Sequence, residues 1–81
     1  MPVSENKLKE IMADVFGVDS KTIDERASAD TIAKWDSFNH MKLVLALEEE
    51  FNVIFQAEQT VEMLSYPLVK IALSEHGIVF N

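Results

Sequence analysis

The chain has no cysteine. That excludes disulfides, thiolate metal sites and a cysteine nucleophile, so packing alone must hold these 81 residues together. Glycine and proline number two each, too few for a turn-rich β fold or a glycine-rich phosphate loop, and the shortage favours helix. Basic residues are scarce as well. Seven Lys and Arg face fourteen Asp and Glu, giving a net charge of −7 and a pI near 4.6. Nucleic-acid phosphates and anionic membrane faces repel such a surface. Partners with basic patches are steered towards it, although acidity also simply keeps a small protein soluble. No apolar run approaches the length of a membrane span, so no membrane insertion is expected. The opening MPVSENKLKE is too polar for a signal peptide. A cytoplasmic chain of one domain, residues 1–81, is the expectation.

Catalytic groups are sparse too. His40 and His76, the two histidines, lack metal-ligand partners at zinc-site spacing. His40 falls towards an apolar arc and reads as a packed, hydrogen-bonded side chain. His76, at a helix C-terminus, suits the helix dipole when protonated. Ser37 and His40 stand three apart on one helix, but no nucleophile elbow or oxyanion loop accompanies them. Glu48, Glu49 and Glu50 point about 100° apart on a helix and cannot converge on one ion. A chain this short also lacks walls to enclose a substrate. A non-enzymatic role is expected.

What is present is helical patterning. Ser4 can cap a first helix in which Leu8, Ile11, Met12, Val15 and Phe16 make one continuous stripe, and Gly17 is placed to end it. A polar stretch follows, without sustained period, and reads as a long loop anchored by Val18, Ile23, Ile32 and Trp35. A second helix runs from about Ser37 to Phe51, capped by Asp36 or Ser37. It carries two apolar arcs. Leu43, Val44, Leu47 and Phe51 suit a core, and Phe38, Met41 and Leu45, rimmed by Lys42 and Glu49, suit a contact patch. A helix buried on all sides is the alternative. Val53, Ile54 and Phe55 could be extended, and Gln56 to Met63 could hold one or two helical turns. Ser65 and Pro67 then open a last helix, with Leu68, Ile71 and Ala72 on one face and Val69 and Leu73 beside it. Gly77 closes that helix, and IVFN packs back or frays. The sum is an all-α fold: a small antiparallel bundle of three main helices and one short one, with a long first connection.

The stretch WDSFNHMKLVLALEEEFNV resembles the acyl carrier proteins, which open the second helix of a four-helix bundle with Asp-Ser-Leu and follow it with a leucine-rich run and an acidic cluster. Here the triplet is Asp36-Ser37-Phe38 and the cluster is Glu48-Glu49-Glu50. VFGVDS at the end of the first helix, the long loop, NVIF and the short third helix also match in place, so the resemblance covers almost the whole chain. It implies that Ser37 receives 4'-phosphopantetheine from coenzyme A through a phosphopantetheinyl transferase using Mg²⁺, with Asp36 near the transferase's metal. A borrowed thiol would then carry acyl groups as thioesters between enzymes of a fatty acid, lipid or polyketide pathway. Phe38, Met41, Lys42, Leu45, Glu48 and Glu49 would form the docking face for loading, elongating or acyl-transfer enzymes bearing Arg and Lys. Leu8, Ile11, Val15, Leu43, Leu47, Phe51 and Ile71 would flank a cleft for the acyl chain, which Met12 and Met63 would make adaptable.

Phe38 in place of the usual leucine, Lys42 where an acid is common, and Trp35 before the triplet depart from the family pattern. They imply a specialised monomeric carrier for a dedicated pathway. An aminoacyl, peptidyl or D-alanyl carrier with the same arm, and an unmodified acidic interaction module, are the alternatives. For Ser37 the plain reading is a helix cap, which contributes about 1 kcal/mol.

Overall fold

The computed structural model describes residues 3–80 and is all-helical, with no β-strand among them. The first helix, α1, spans Glu5–Phe16. Ser4 caps it by accepting from the Asn6 N–H at 3.1 Å. Gly17, at φ 67°, ends it in the left-handed turn that only a residue without Cβ adopts freely. Leu8, Met12 and Phe16 are fully buried, Ala13 is nearly so, and Ile11 and Val15 lie partly buried beside them. The expected stripe is therefore the buried one.

Residues 17–36 are far from structureless. A 3₁₀ turn at Ser20–Thr22 starts from Asp19, whose carboxylate caps the Lys21 N–H. Asp24 caps Arg26 in the same way, and Ser28 and Thr31 bond each other's backbone neighbourhood. These short polar side chains satisfy backbone groups that no helix or sheet serves. Ile23, Ala27, Ile32 and Trp35 anchor the segment in the core. Two main-chain bonds, Ala29 N–H to Leu64 O and Tyr66 N–H to Ala27 O, both 2.9 Å, fasten it to the start of the last helix.

The second helix, α2, spans Ser37–Phe51, and Asn52 ends it at φ 55°. A third helix, α3, covers only Ala57–Glu62 and has no buried residue. The fourth, α4, spans Tyr66–Ser74, with Ser65 as its cap and Pro67 in its first turn, where a missing N–H is harmless. Val53 to Phe55 form no strand; Ile54 is exposed and Phe55 is buried.

The inward face of α4 differs from the expected one. Leu68 and Ile71 are exposed, while Tyr66, Val69, Ala72 and Leu73 are buried. Tyr66 sets the rotation. Its hydroxyl donates to Glu5 Oε1 at 2.6 Å, and Lys70, one turn on, binds Glu5 at 3.0 Å and Glu25 at 2.7 Å. With Tyr66 and Lys70 turned towards α1, Val69 and Leu73 fall inward and Ile71 outward. The hydroxyl bond from Tyr66, then the Lys70 ammonium, hold the Glu5 carboxyl below its ordinary range. Burial and Glu5 together push the Tyr66 phenol up. Past α4, Gly77 takes φ 85° and the chain turns back. Ile78 and Phe80 pack on the core, and Val3 N–H bonds Val79 O at 2.6 Å. The tail thus packs rather than frays as far as Phe80; Asn81 lies outside the described residues.

Candidate functional site

Asp36, not Ser37, caps α2. Its carboxylate accepts from the Asn39 N–H at 2.8 Å, and Asn39 in turn donates from Nδ2 to the Lys34 carbonyl at 2.9 Å. Ser37 is therefore the first helical residue, exposed, with no side-chain hydrogen bond among the described residues. The Ser37 and Phe38 N–H groups belong to the open first turn, where backbone donors and the positive end of the helix dipole are available to an anion.

Trp35 forms the inner wall beside this serine. It is buried, stacks on Phe16 with centroids 4.7 Å apart, and donates from Nε1 to His40 Nδ1 at 3.0 Å. The indole N–H can only donate, so Nδ1 accepts and the proton of the neutral ring sits on Nε2. Nε2 lies 2.6 Å from the Thr60 carbonyl on α3, to which it donates. Both ring nitrogens of His40 are thus engaged by partners other than Ser37. The packed, hydrogen-bonded histidine expected from the sequence is what the structure contains.

A cleft of about 560 Å³ opens at Ser37 between α2 and α3, walled by Trp35, His40, Met41, Thr60, Val61 and Leu64, with Asp36 and Ser37 at its rim. It is not the cleft expected between the core arcs. Leu8, Leu43, Leu47, Met12 and Met63 are closely packed and fully buried, and Ile71 faces outward. Val61 was not legible as a wall residue, because a helix of six residues is too short for apolar periodicity to assign a face, and Leu64 lies beyond that helix, where no period applies.

The two arcs of α2 separate as expected. Leu43, Val44 and Leu47 are buried, whereas Phe38, Met41 and Leu45 are 73%, 55% and 60% exposed. The helix is not buried on all sides. Val61, on α3, is also exposed and lines the same cleft as Met41, so both helices present apolar surface there. The Lys42 ammonium lies 5.7 Å from the Phe38 ring, a cation–π distance.

The glutamates divide three ways. Glu48 is half-buried and accepts the Phe55 N–H at 2.9 Å, holding the chain that leaves α2. Glu49 is exposed and makes no ion pair among the described residues. Glu50 pairs with Lys7 of α1 at 2.8 Å. Of the three, Glu49 is thus the one left without a backbone bond or ion pair among the described residues. Among the described residues no group of three or more His, Cys, Asp or Glu could hold a metal ion. Nor is any of their helices long and apolar enough to cross a membrane. Searched against models of known protein families, the chain matches none.

Proposed function

We propose that the chain is a carrier of the acyl carrier type, an antiparallel four-helix bundle modified on Ser37 with 4'-phosphopantetheine. One observation carries this reading: Ser37 is exposed and unbonded at the first turn of α2, with the cap supplied by its neighbour Asp36, at the rim of an apolar cleft. A serine needed as the cap would have its hydroxyl occupied, whereas this one is free to react. The residues fit a phosphodiester there, since the open N–H groups of the first turn face that position. When attached, the arm supplies a thiol able to hold an acyl group as a thioester. Asp36 fixes the start of the helix and stands beside the serine, where a transferase's Mg²⁺ would approach.

Phe38, Met41 and Leu45 give partner enzymes an apolar footing, and Glu49 gives their basic residues an opposite charge. Such rim charges act on encounter rate and partner choice more than on affinity, which suits a shuttle that must release. The Phe38–Lys42 pair puts a bulky cation where general fatty-acid enzymes expect neither, so the reading is of a monomeric, cytoplasmic carrier with its own partners. Its lack of catalysis is supported by His40, whose nitrogens are both engaged away from Ser37.

The test is intact mass after incubation with coenzyme A, Mg²⁺ and a broad-specificity phosphopantetheinyl transferase. Wild type should gain one phosphopantetheine and Ser37→Ala none. A folded wild type that gains nothing leaves Ser37 without this role and favours the unmodified interaction module. The loaded form should turn over with a general ketosynthase more slowly than with Phe38→Leu/Lys42→Glu; equal rates would remove the claim of specialisation.

A further inference from the structure

A second cavity, of about 430 Å³, opens where the chain leaves α1. Val18, Ala27, Ile32 and Ala33 supply its apolar surface, and Arg26 and Lys34 supply its cations. It shares no lining residue with the cleft at Ser37. Both cations are exposed, and neither joins an ion pair among the described residues. Acids outnumber cations fourteen to seven in this chain, so two unpaired cations on one apolar cavity run against its composition.

The cavity is built into the fold. Ala27 and Ile32 are buried, and the Ala27 carbonyl accepts from the Tyr66 N–H. The Arg26 N–H is fixed by Asp24 Oδ1, and the Lys34 carbonyl by Asn39 Nδ2, each at 2.9 Å. A pre-formed, mostly apolar cavity with a few placed charges is the usual form of a small-molecule site. Its other polar groups are already engaged. The Thr22 hydroxyl donates to the Asp19 carbonyl at 2.7 Å, and the Thr31 hydroxyl accepts the Ser28 N–H at 2.9 Å. What remains for a ligand is hydrocarbon surface and cationic N–H donors, which a polyol would use poorly.

We propose that this cavity binds a small monocarboxylate with an apolar body, independently of Ser37. The planar fork of a guanidinium matches a carboxylate, and the ammonium adds a point charge. Arg26 and Lys34 against Asp24 leave one net positive charge on the lining, which a carboxylate balances and a phosphate dianion exceeds. Neighbouring hollows lack this combination. Between α4 and the tail, Lys70 is already held by Glu5 and Glu25. Beside the start of α1, Lys9 and Lys21 stand with Glu10 and Asp24, leaving no net charge.

The experiment is a titration of the full unmodified chain with hexanoate at about pH 8, where the acid is ionised, followed by amide shifts in nitrogen–proton spectra. Shifts should centre on Val18, Ala27, Ile32 and Ala33, with a Kd of about 1 mM. Acetate, which lacks the apolar body, and hexanol, which lacks the charge, should each bind at least about tenfold more weakly. Hexyl phosphate should bind no more tightly than hexanoate. Arg26→Gln/Lys34→Gln should weaken hexanoate about tenfold, whereas Lys9→Gln/Lys21→Gln, with the same change in net charge, should stay within about twofold of wild type. Ser37→Ala should bind as wild type does, so this site stands or falls apart from the carrier reading. No shift up to about 20 mM, shifts centred on Trp35, Met41 and Val61, hexanol binding equal to hexanoate, tighter binding of hexyl phosphate, or equal losses in the two double variants would each overturn the proposal.

Discussion

The two short helices, α3 and α4, are held to the same bundle by opposite means. Helix α4 buries Tyr66, Val69, Ala72 and Leu73 and is locked by the Glu5, Glu25 and Lys70 bridges. Helix α3 buries nothing and rests on hydrogen bonds through Thr60 and Gln59. Apolar burial couples a helix to global unfolding, because it cannot leave without exposing the core. Exposed polar hooks can open singly, so such a helix can detach while the rest stays folded. The cleft wall opposite Ser37 is thus built from a helix that buries none of its residues, beside one that buries four.

The sharpest way to break this comparison is to truncate one apolar residue in each helix. Leu73→Ala should cost about 3 kcal/mol, because it removes a fully buried side chain from a packed core. Val61→Ala, at an exposed position on α3, should change stability by no more than about 0.5 kcal/mol. Urea denaturation of the two variants measures both. Equal losses would mean that α3 is as much part of the core as α4.

A second test separates the α4 lock from its apolar contacts by pH. Glu5 is held below its ordinary range, first by the Tyr66 hydroxyl and then by Lys70. A carboxylate depressed in the folded state contributes stability that is fully present above the unfolded glutamate value of about 4.3 and is lost as pH falls through the lower folded value. Tyr66→Phe leaves Glu5 only its lysine neighbours, Lys70 and Lys9, so its share of acid sensitivity should shrink. The urea midpoint of the variant, followed from about pH 6 to about pH 3, should fall less steeply than that of wild type. An unchanged slope would assign the depression to the lysines rather than to the Tyr66 hydroxyl.

Helix ends were legible in the sequence because their chemistry is local. Ser4, Gly17, Asp36 and Ser65–Pro67 each act within about one helical turn, and each sits where its residue type implies. The two arcs of α2 were legible because Lys42 and Glu49 interrupt the apolar positions. The rotation of α4 was not. Leu68, Val69, Ile71 and Leu73 are all apolar, so no polar residue marks an outer face, and the choice is made by a Tyr66–Glu5 bond spanning 61 positions. The cleft was hidden for a similar reason. Its walls are joined by His40 and Thr60, twenty positions apart, and the acceptor is a backbone carbonyl that has no identity in sequence. The role of Ser37 as a tether is a proposal supported by its unbonded hydroxyl, while the resemblance of the surrounding stretch is what first singles it out.

The finest test removes a polar hook from α3 without touching the His40–Thr60 bond. Gln59 Oε1 accepts from the Gln56 N–H and from His76, each at 3.0 Å, and its amide donates to Glu75. Gln59→Ala removes all three bonds from an exposed helix, where net hydrogen-bond contributions are small because water replaces them. Amide exchange within residues 57–62 should quicken about fivefold, while the Leu73 amide and the urea midpoint stay as in wild type, within about 0.5 kcal/mol. A fall in global stability alongside α3 opening would show that the hooks also brace the core. Faster exchange in α3 alone would show a helix that moves on its own terms, with the His40–Thr60 bond as its remaining tie to the wall beside Ser37.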